Sequence, residues 1–228
     1  MKKAVMVFSG GIDSVCAAAH LSEQFDVYGI SFLYGQRAGP EIESAKYFVD
    51  KIGMKQHHIL DISFMESLYG KSNVLTDSKL SMPETFDYSI VVPVRNAIFL
   101  SISSAWAFSL GAELVAYGAH TGDTSYPDCR PVFTDAFENA MNLGESDGIS
   151  SGIRRPIRIW SPYKEGISKS TLLKMGLDAL GDDIFLTWSC YSGGDKQCGR
   201  CESCRNRKNA FNEAHIQDKT IYSTSSDF

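Results

Sequence analysis

The chain opens on an unbroken apolar run at residues 4–8, Ala-Val-Met-Val-Phe, the kind that a parallel sheet buries on both faces. Turn residues stop it at once, and from Ile12 the positions Ile12, Val15, Cys16, Ala19 and Leu21 recur near helical spacing, with Asp13 in the first turn where the helix dipole favours a carboxylate. The pattern predicts strand, glycine-rich loop, helix. A second strand is expected over 26–33 and a third over 57–62. Between them, an amphipathic helix over 41–52 carries Ile42, Ala45, Phe48, Val49 and Ile52 on one side. Residues 70–87 are rich in Ser, Asp, Asn and Pro, show no period and read as a long loop. Beyond it, 96–110 is almost entirely small or apolar, as in a helix packed on most sides. Residues 113–118 supply a further strand, 134–143 and 169–180 read as helices, and 189–207 form a cysteine-rich appendage. The polar residues that end the chain are expected to fray. No internal repeat is visible. Short apolar strands alternating with helices predict an α/β fold, a doubly wound parallel sheet with ligand chemistry at the carboxyl ends of its strands.

Composition narrows the class. At 228 residues with 43% hydrophobic side chains there is enough apolar material for a buried core, which excludes disorder of the whole chain. Twenty-two Lys and Arg against 27 Asp and Glu give a net charge of −5, without the basic excess of a dedicated nucleic-acid binder, so a small-molecule partner is expected and no direct nucleic acid. No apolar run reaches the roughly 18–20 residues of a membrane helix, and Ser9, Gly10, Gly11 and Asp13 break the first run too early for a secretory signal. These readings point to the cytoplasm and to no membrane.

Two clusters carry chemistry. Residues 9–14, Ser-Gly-Gly-Ile-Asp-Ser, join the first strand to the first helix, where N–H groups converge and the dipole is positive. Gly10 and Gly11 let the backbone approach a pyrophosphate, the Ser9 and Ser14 hydroxyls can donate to it, and Asp13 can hold Mg²⁺. The loop lacks the Gly-Lys-Ser/Thr of a Walker motif and the spacing of a dinucleotide fingerprint. Six cysteines stand at 16, 129, 190, 198, 201 and 204. Cys190, Cys198, Cys201 and Cys204 form Cys-x7-Cys-Gly-x-Cys-x2-Cys, which suits one tetrahedral structural Zn²⁺ per chain with no open position for catalysis, redox or iron–sulfur ligation being the alternatives. Cys16 reads as a core residue and Cys129 is ambiguous.

Residues 9–14 resemble the PP-loop of the ATP pyrophosphatase superfamily, an adenine nucleotide alpha hydrolase-like fold whose members cleave ATP between the α and β phosphates. That resemblance implies an ATP site over Phe8, Ser9, Gly10, Gly11, Ile12, Asp13, Ser14, Val15, Cys16, Ala17 and Ala18, with adenine near residues 30–34. Further along, Tyr34-Gly35-Gln36-Arg37, Val92-Pro93 with Arg95-Asn96, Tyr126-Pro127-Asp128-Cys129-Arg130, Thr187-Trp188-Ser189-Cys190-Tyr191 and the cysteine cluster occur in one order. Together they resemble the 7-cyano-7-deazaguanine synthase family, from the first strand to about residue 211.

The resemblance implies a carbon–nitrogen ligase that converts 7-carboxy-7-deazaguanine, ATP with Mg²⁺, and ammonia to the nitrile preQ0, on the route to queuosine or archaeosine. Adenylation makes the carboxylate oxygen a leaving group, ammonia gives the amide, and a second activation with elimination gives the nitrile. It also implies catalytic roles for Asp13, Ser14 and Lys169, the last neutralising phosphate charge. Substrate contacts are expected from Arg95, Asn96, Asp123, Asp128 and Arg130. The working unit is expected to be a homodimer, and the chain to divide into an ATP-binding part at 1–185 and a zinc-binding part at 186–228. Ala38 stands where the family pattern has His, Val94 where it has Gly, and the loop before Tyr126 lacks a Gly. His57, His58 and His120 read as structural or surface residues. The rival within the superfamily, a tRNA-thiolating enzyme with Cys129 as sulfur carrier, lacks both basic charge and length for a tRNA-binding domain. No length remains for a glutaminase domain either, so free ammonia is expected. From another class comes a zinc-knuckle nucleotide sensor that binds ATP without consuming it.

Overall fold

The computed structural model describes residues 1–36, 39–69, 73–76 and 80–223. Arg37, Ala38, parts of the expected loop at 70–87 and the last five residues lie outside the described residues. The opening apolar run becomes β1 (Lys2–Val7), followed by β2 (Phe25–Leu33), β3 (Gln56–Asp61), β4 (Leu114–Ala116) and β5 (Arg158–Trp160). They form one five-stranded sheet in the order β3-β2-β1-β4-β5, and every pair is parallel. Having a neighbour on each side, β1 turns Ala4 and Met6 to one layer and Val5 to the other, and all three are fully buried.

On the first layer, α1 (Ile12–Ser22), α2 (Pro40–Ile52), α7 (Lys169–Leu180) and α8 (Glu202–Ala214) share a core with Met6 and Phe8. On the second, α4 (Arg95–Leu110) and α5 (Pro131–Gly144) cover Val5, Val115 and Ile159. Helices on both faces make the sheet doubly wound. Two short helices complete the chain, α3 (Glu66–Tyr69) and α6 (Ser146–Ser150), the latter packing Ile149 on the second layer. Local chemistry agrees with the boundaries: Pro40 sits in the first turn of α2, and the Ser168 hydroxyl accepts from the Thr171 N–H at the start of α7. Gly176 lets α7 lie against α1, since a Cβ there would collide with the Cys16 sulfur.

Four expectations change. β5 has only three residues, too few to show a period, and was not anticipated. α8 was hidden by its polar sequence; it buries Phe211 and Ala214 in the sheet core and Arg207 completely. Residues up to 223 are held rather than frayed, because Tyr222 bridges Gln197, Ser223 N–H donates to Gln197 O at 2.8 Å, and Thr220 accepts from Arg207. The stretch Tyr88–Leu110 also corrects the hydropathy reading, since an 18-residue window of mean hydropathy 1.4 within it meets the length and composition of a membrane span. Here it is divided: a single 3-10 turn at Tyr88–Ile90, then Pro93, then α4 against the sheet.

Candidate active site

In the order 3-2-1-4-5 the connections from β1 and β4 leave in opposite directions, and the crevice between their carboxyl ends is where such sheets bind ligands. A cleft of about 270 Å³ occupies that place. Phe8, Ser9, Gly11, Ile12, Asp13 and Ser14 line it, whereas Val15, Cys16, Ala17 and Ala18 point into the core on the buried face of α1. Burial also pushes the Cys16 thiol well up, which suits a core residue. Gly10 has φ +80, and a Cβ there would meet the backbone of Glu41 and Ala45, so the loop is seated on the first turns of α2. The two hydroxyls shape the loop itself: Ser9 Oγ accepts from Gly11 N–H at 3.2 Å and lies 3.1 Å from Ser14 Oγ, which donates to Gly11 O at 3.0 Å. Gly11 gives α1 no side-chain cap, leaving its first-turn N–H groups for an anion.

One end of the cleft is built around Asp13. Lys169 Nζ lies 2.8 Å from Asp13 Oδ2, and His120 Nε2 lies 3.7 Å from Oδ1. Burial alone would raise the Asp13 carboxyl, but Lys169 and His120 outweigh it and hold the group below its ordinary value. Asp123, which also lines the cleft, is raised by burial, with His120 acting against that and Asp13 adding to it. A second cavity of about 280 Å³, lined by Lys169 and His120, adjoins the cleft at Asp123 and Tyr126.

The other end is aromatic. Arg95 Nη1 donates to Tyr34 OH at 2.8 Å, and its guanidinium lies 5.2 Å over the Tyr34 ring and 5.9 Å over that of Phe99. Tyr191 and Tyr126 complete a wall suited to a flat heterocycle. Glu41 faces this end with hydrogen bonds to Ser9 and Gln36, and burial, opposed by Arg95, pushes its carboxyl up to about 7. A carboxyl ionising near neutrality is suited to accepting a proton from an attacking nitrogen.

The remaining expected contacts separate. Asn96 lines the cleft and donates from Nδ2 to Cys129 Sγ at 3.3 Å, while Asp128 lies outside the lining and caps α4 by accepting from the Asn96 backbone N–H at 3.1 Å. Arg130 is exposed and donates to Thr124 O at 2.7 Å, so the structure does not bring it to the cleft. Residues 30–34 do border it, through Ile30, Ser31, Phe32 and Tyr34.

The sulfur atoms of Cys190, Cys198, Cys201 and Cys204 all lie within 4.8 Å of one another. Zn–S bonds of about 2.3 Å put tetrahedral sulfurs roughly 3.8 Å apart, so the four fit a tetrahedral metal with little movement. The N–H groups of Ser192 and Cys198 donate to Cys190 Sγ, and that of Cys201 to Cys198 Sγ, each at 3.3 Å, an arrangement that favours thiolates. This segment is also a wall of the cleft, through Trp188, Ser189, Cys190 and Tyr191. Trp188 N–H donates to Gly10 O at 3.1 Å, and the buried Arg207 ties the wall down through Thr187 Oγ1 at 2.7 Å and Ser189 Oγ at 3.1 Å.

His120 and Glu41 are the site residues that sequence reasoning missed. His120 stands just past β4, at the carboxyl end of a strand, and that position was the available signal. Glu41 is four residues beyond the last residue of the Tyr34-Gly35-Gln36-Arg37 motif, and only its place in the cleft marks it.

Residues 3–215 match the family described as Queuosine biosynthesis protein QueC. The chain is 40% identical over 227 residues to a 7-cyano-7-deazaguanine synthase of Caldicellulosiruptor bescii, covering 96% of this chain and 97% of that protein. It is 38% identical over 228 residues to the protein of the same name from Acetivibrio thermocellus and 39% identical over 228 residues to that from Psychromonas ingrahamii, covering 97% of this chain and 98% of each relative.

Proposed function

The chain belongs to the QueC family of queuosine biosynthesis proteins, and we propose on that premise that it converts 7-carboxy-7-deazaguanine and ammonia to 7-cyano-7-deazaguanine at the expense of ATP. The observation that carries the reading is the cleft in which the uncapped start of α1, Asp13 and an aromatic wall around Arg95 meet, with Lys169 pairing with Asp13 from the adjoining cavity.

In the mechanism we propose, the substrate carboxylate oxygen attacks the α-phosphorus of ATP and pyrophosphate leaves. The first-turn N–H groups of α1 receive the leaving pyrophosphate, the Ser14 hydroxyl turns to it from Gly11 O, and Lys169 neutralises its charge. Mg²⁺, when bound at Asp13, supplies charge neutralisation of the phosphates. Ammonia displaces AMP to give the amide, losing one proton. The amide oxygen then attacks the α-phosphorus of a second ATP, a second pyrophosphate leaves, and loss of both N–H protons with departure of AMP leaves the nitrile. Arg95 and Asn96 hold the substrate, with Tyr34 and Tyr191 against its ring. Asp123 accepts from its N–H edge. We further propose that the cysteines hold one structural zinc, that residues 1–185 form the ATP-binding part and 186–228 the zinc-holding part, and that a cytoplasmic homodimer is the working unit. The tRNA-thiolating alternative loses ground at Cys129, whose thiol is buried and pushed up, the opposite of a sulfur carrier.

The test is mass spectrometry of the product formed from 7-carboxy-7-deazaguanine, MgATP and ammonium, beside Asp13→Ala. The nitrile is expected from the wild type, with at least a hundredfold less from the variant. ATP consumption without amide or nitrile would assign a different acceptor.

A further inference from the structure

His120 has no part in the reaction as written above, yet its ring is built into the site. It is 6% exposed and lies between Asp13 and Asp123. Gly122 N–H donates to Nδ1 at 3.1 Å, which in the neutral ring places the proton on Nε2. Nε2 faces Asp13 Oδ1 at 3.7 Å, while Lys169 takes the other oxygen, Oδ2, at 2.8 Å. The ring cannot swing away easily. The His120 backbone N–H donates to Asp123 Oδ2 at 2.9 Å, and the next residue, Thr121, donates to Ile167 O at 3.1 Å, which binds the loop to the approach of α7.

The torsion that turns an aspartate carboxyl is soft, so a single contact leaves the group free to pivot about one oxygen. Lys169 alone would do that here. A second polar hydrogen facing the opposite oxygen, carried by a different element, biases the carboxylate plane and with it the direction of the lone pairs facing the cleft.

We infer that His120 is a positioning residue for Asp13: Lys169 Nζ holds Oδ2 by a 2.8 Å hydrogen bond, and His120 Nε2, facing Oδ1 at 3.7 Å, steers the other oxygen by charge from a separate element, so that together they aim Asp13 at the magnesium–nucleotide. The inference rests on the reading of Asp13 given above. It concerns orientation, so the donor atom matters and the bulk of the ring does not.

Two variants separate these. His120→Gln keeps an N–H donor, and His120→Phe keeps a ring without one. MgATP binding is measured by titration calorimetry, which needs no acceptor substrate, alongside KM for MgATP, kcat and the melting temperature. His120→Phe is expected to weaken MgATP binding and raise its KM about tenfold, and His120→Gln to stay within about threefold of the wild type. Wild-type MgATP affinity in both variants would overturn the inference, and so would equal losses in both, which mark a merely structural ring. Wild-type protein that binds MgATP but makes no nitrile would overturn the assigned reaction instead, and the binding comparison would still decide the role of His120.

Discussion

Asp13 and Glu41 both line one cleft, and burial pushes both carboxyls the same way, yet they ionise on opposite sides of their ordinary values. Asp13 has an ammonium at 2.8 Å and an imidazole at 3.7 Å and is held down. Glu41 has Ser9, Gln36 and the charge of Arg95, which is already hydrogen-bonded to Tyr34, and it rises to about 7. Neighbours, rather than depth, divide the cleft into a permanently anionic end suited to cations and phosphate and an end whose charge switches near neutrality.

The largest disturbance of that division is expected from the wall that both ends share. Cys201→Ser should lower bound metal below one per chain by elemental analysis and drop the melting temperature by roughly 5–10 °C. Nucleotide affinity should fall as well, because Trp188 N–H donates to Gly10 O. A metal-free protein of unchanged melting temperature would remove the structural metal.

A smaller effect sharpens the contrast directly. Glu41 is raised in the fold, so the stability it contributes is present below about pH 4.5 and lost as pH rises through about 7. Glu41→Gln should therefore gain on the wild type across that window, by on the order of 1–2 kcal/mol given partial solvent exposure. Asp13 is lowered from 3.8, so its contribution is present above that value and lost as pH falls below it. The cost of Asp13→Asn should accordingly shrink below pH 3.8. Denaturant melts over pH 3–9 check both slopes, and parallel curves for the two variants would break the comparison.

The smallest effect belongs to the aromatic end. Val94 precedes Arg95 at φ +46, a conformation that a β-branched residue adopts only under strain, and its side chain is 62% exposed. Val94→Gly should raise stability by about 0.5–1 kcal/mol, since relief of strain exceeds the added freedom of the unfolded chain. A loss of stability would show that the strain is absent.

What the sequence made legible follows from range. The strand–loop–helix at 2–22 and the cysteine spacing are local patterns, and α7 matches its expected limits of Lys169–Leu180. The Gly expected at position 94 is explained by the left-handed backbone found there. Long-range placement was not legible. Nothing near His120 in sequence announces Asp13, more than a hundred residues away. Arg130 was expected to contact the substrate from the loop beyond the 113–118 strand, yet it serves its own loop. α8 was masked because its buried face includes an arginine, whose satisfaction depends on Thr187, Ser189 and Thr220.

The central claim is that one cleft adenylates an oxygen of the substrate twice. Its most direct test starts from 7-carboxy-7-deazaguanine carrying oxygen-18 in both carboxylate positions, turned over with MgATP and ammonium and followed by phosphorus-31 NMR. Two AMP per nitrile are expected, each bearing one oxygen-18 on phosphorus, with unlabelled pyrophosphate. Label in inorganic phosphate with ADP as the nucleotide product, or AMP without label, would contradict it.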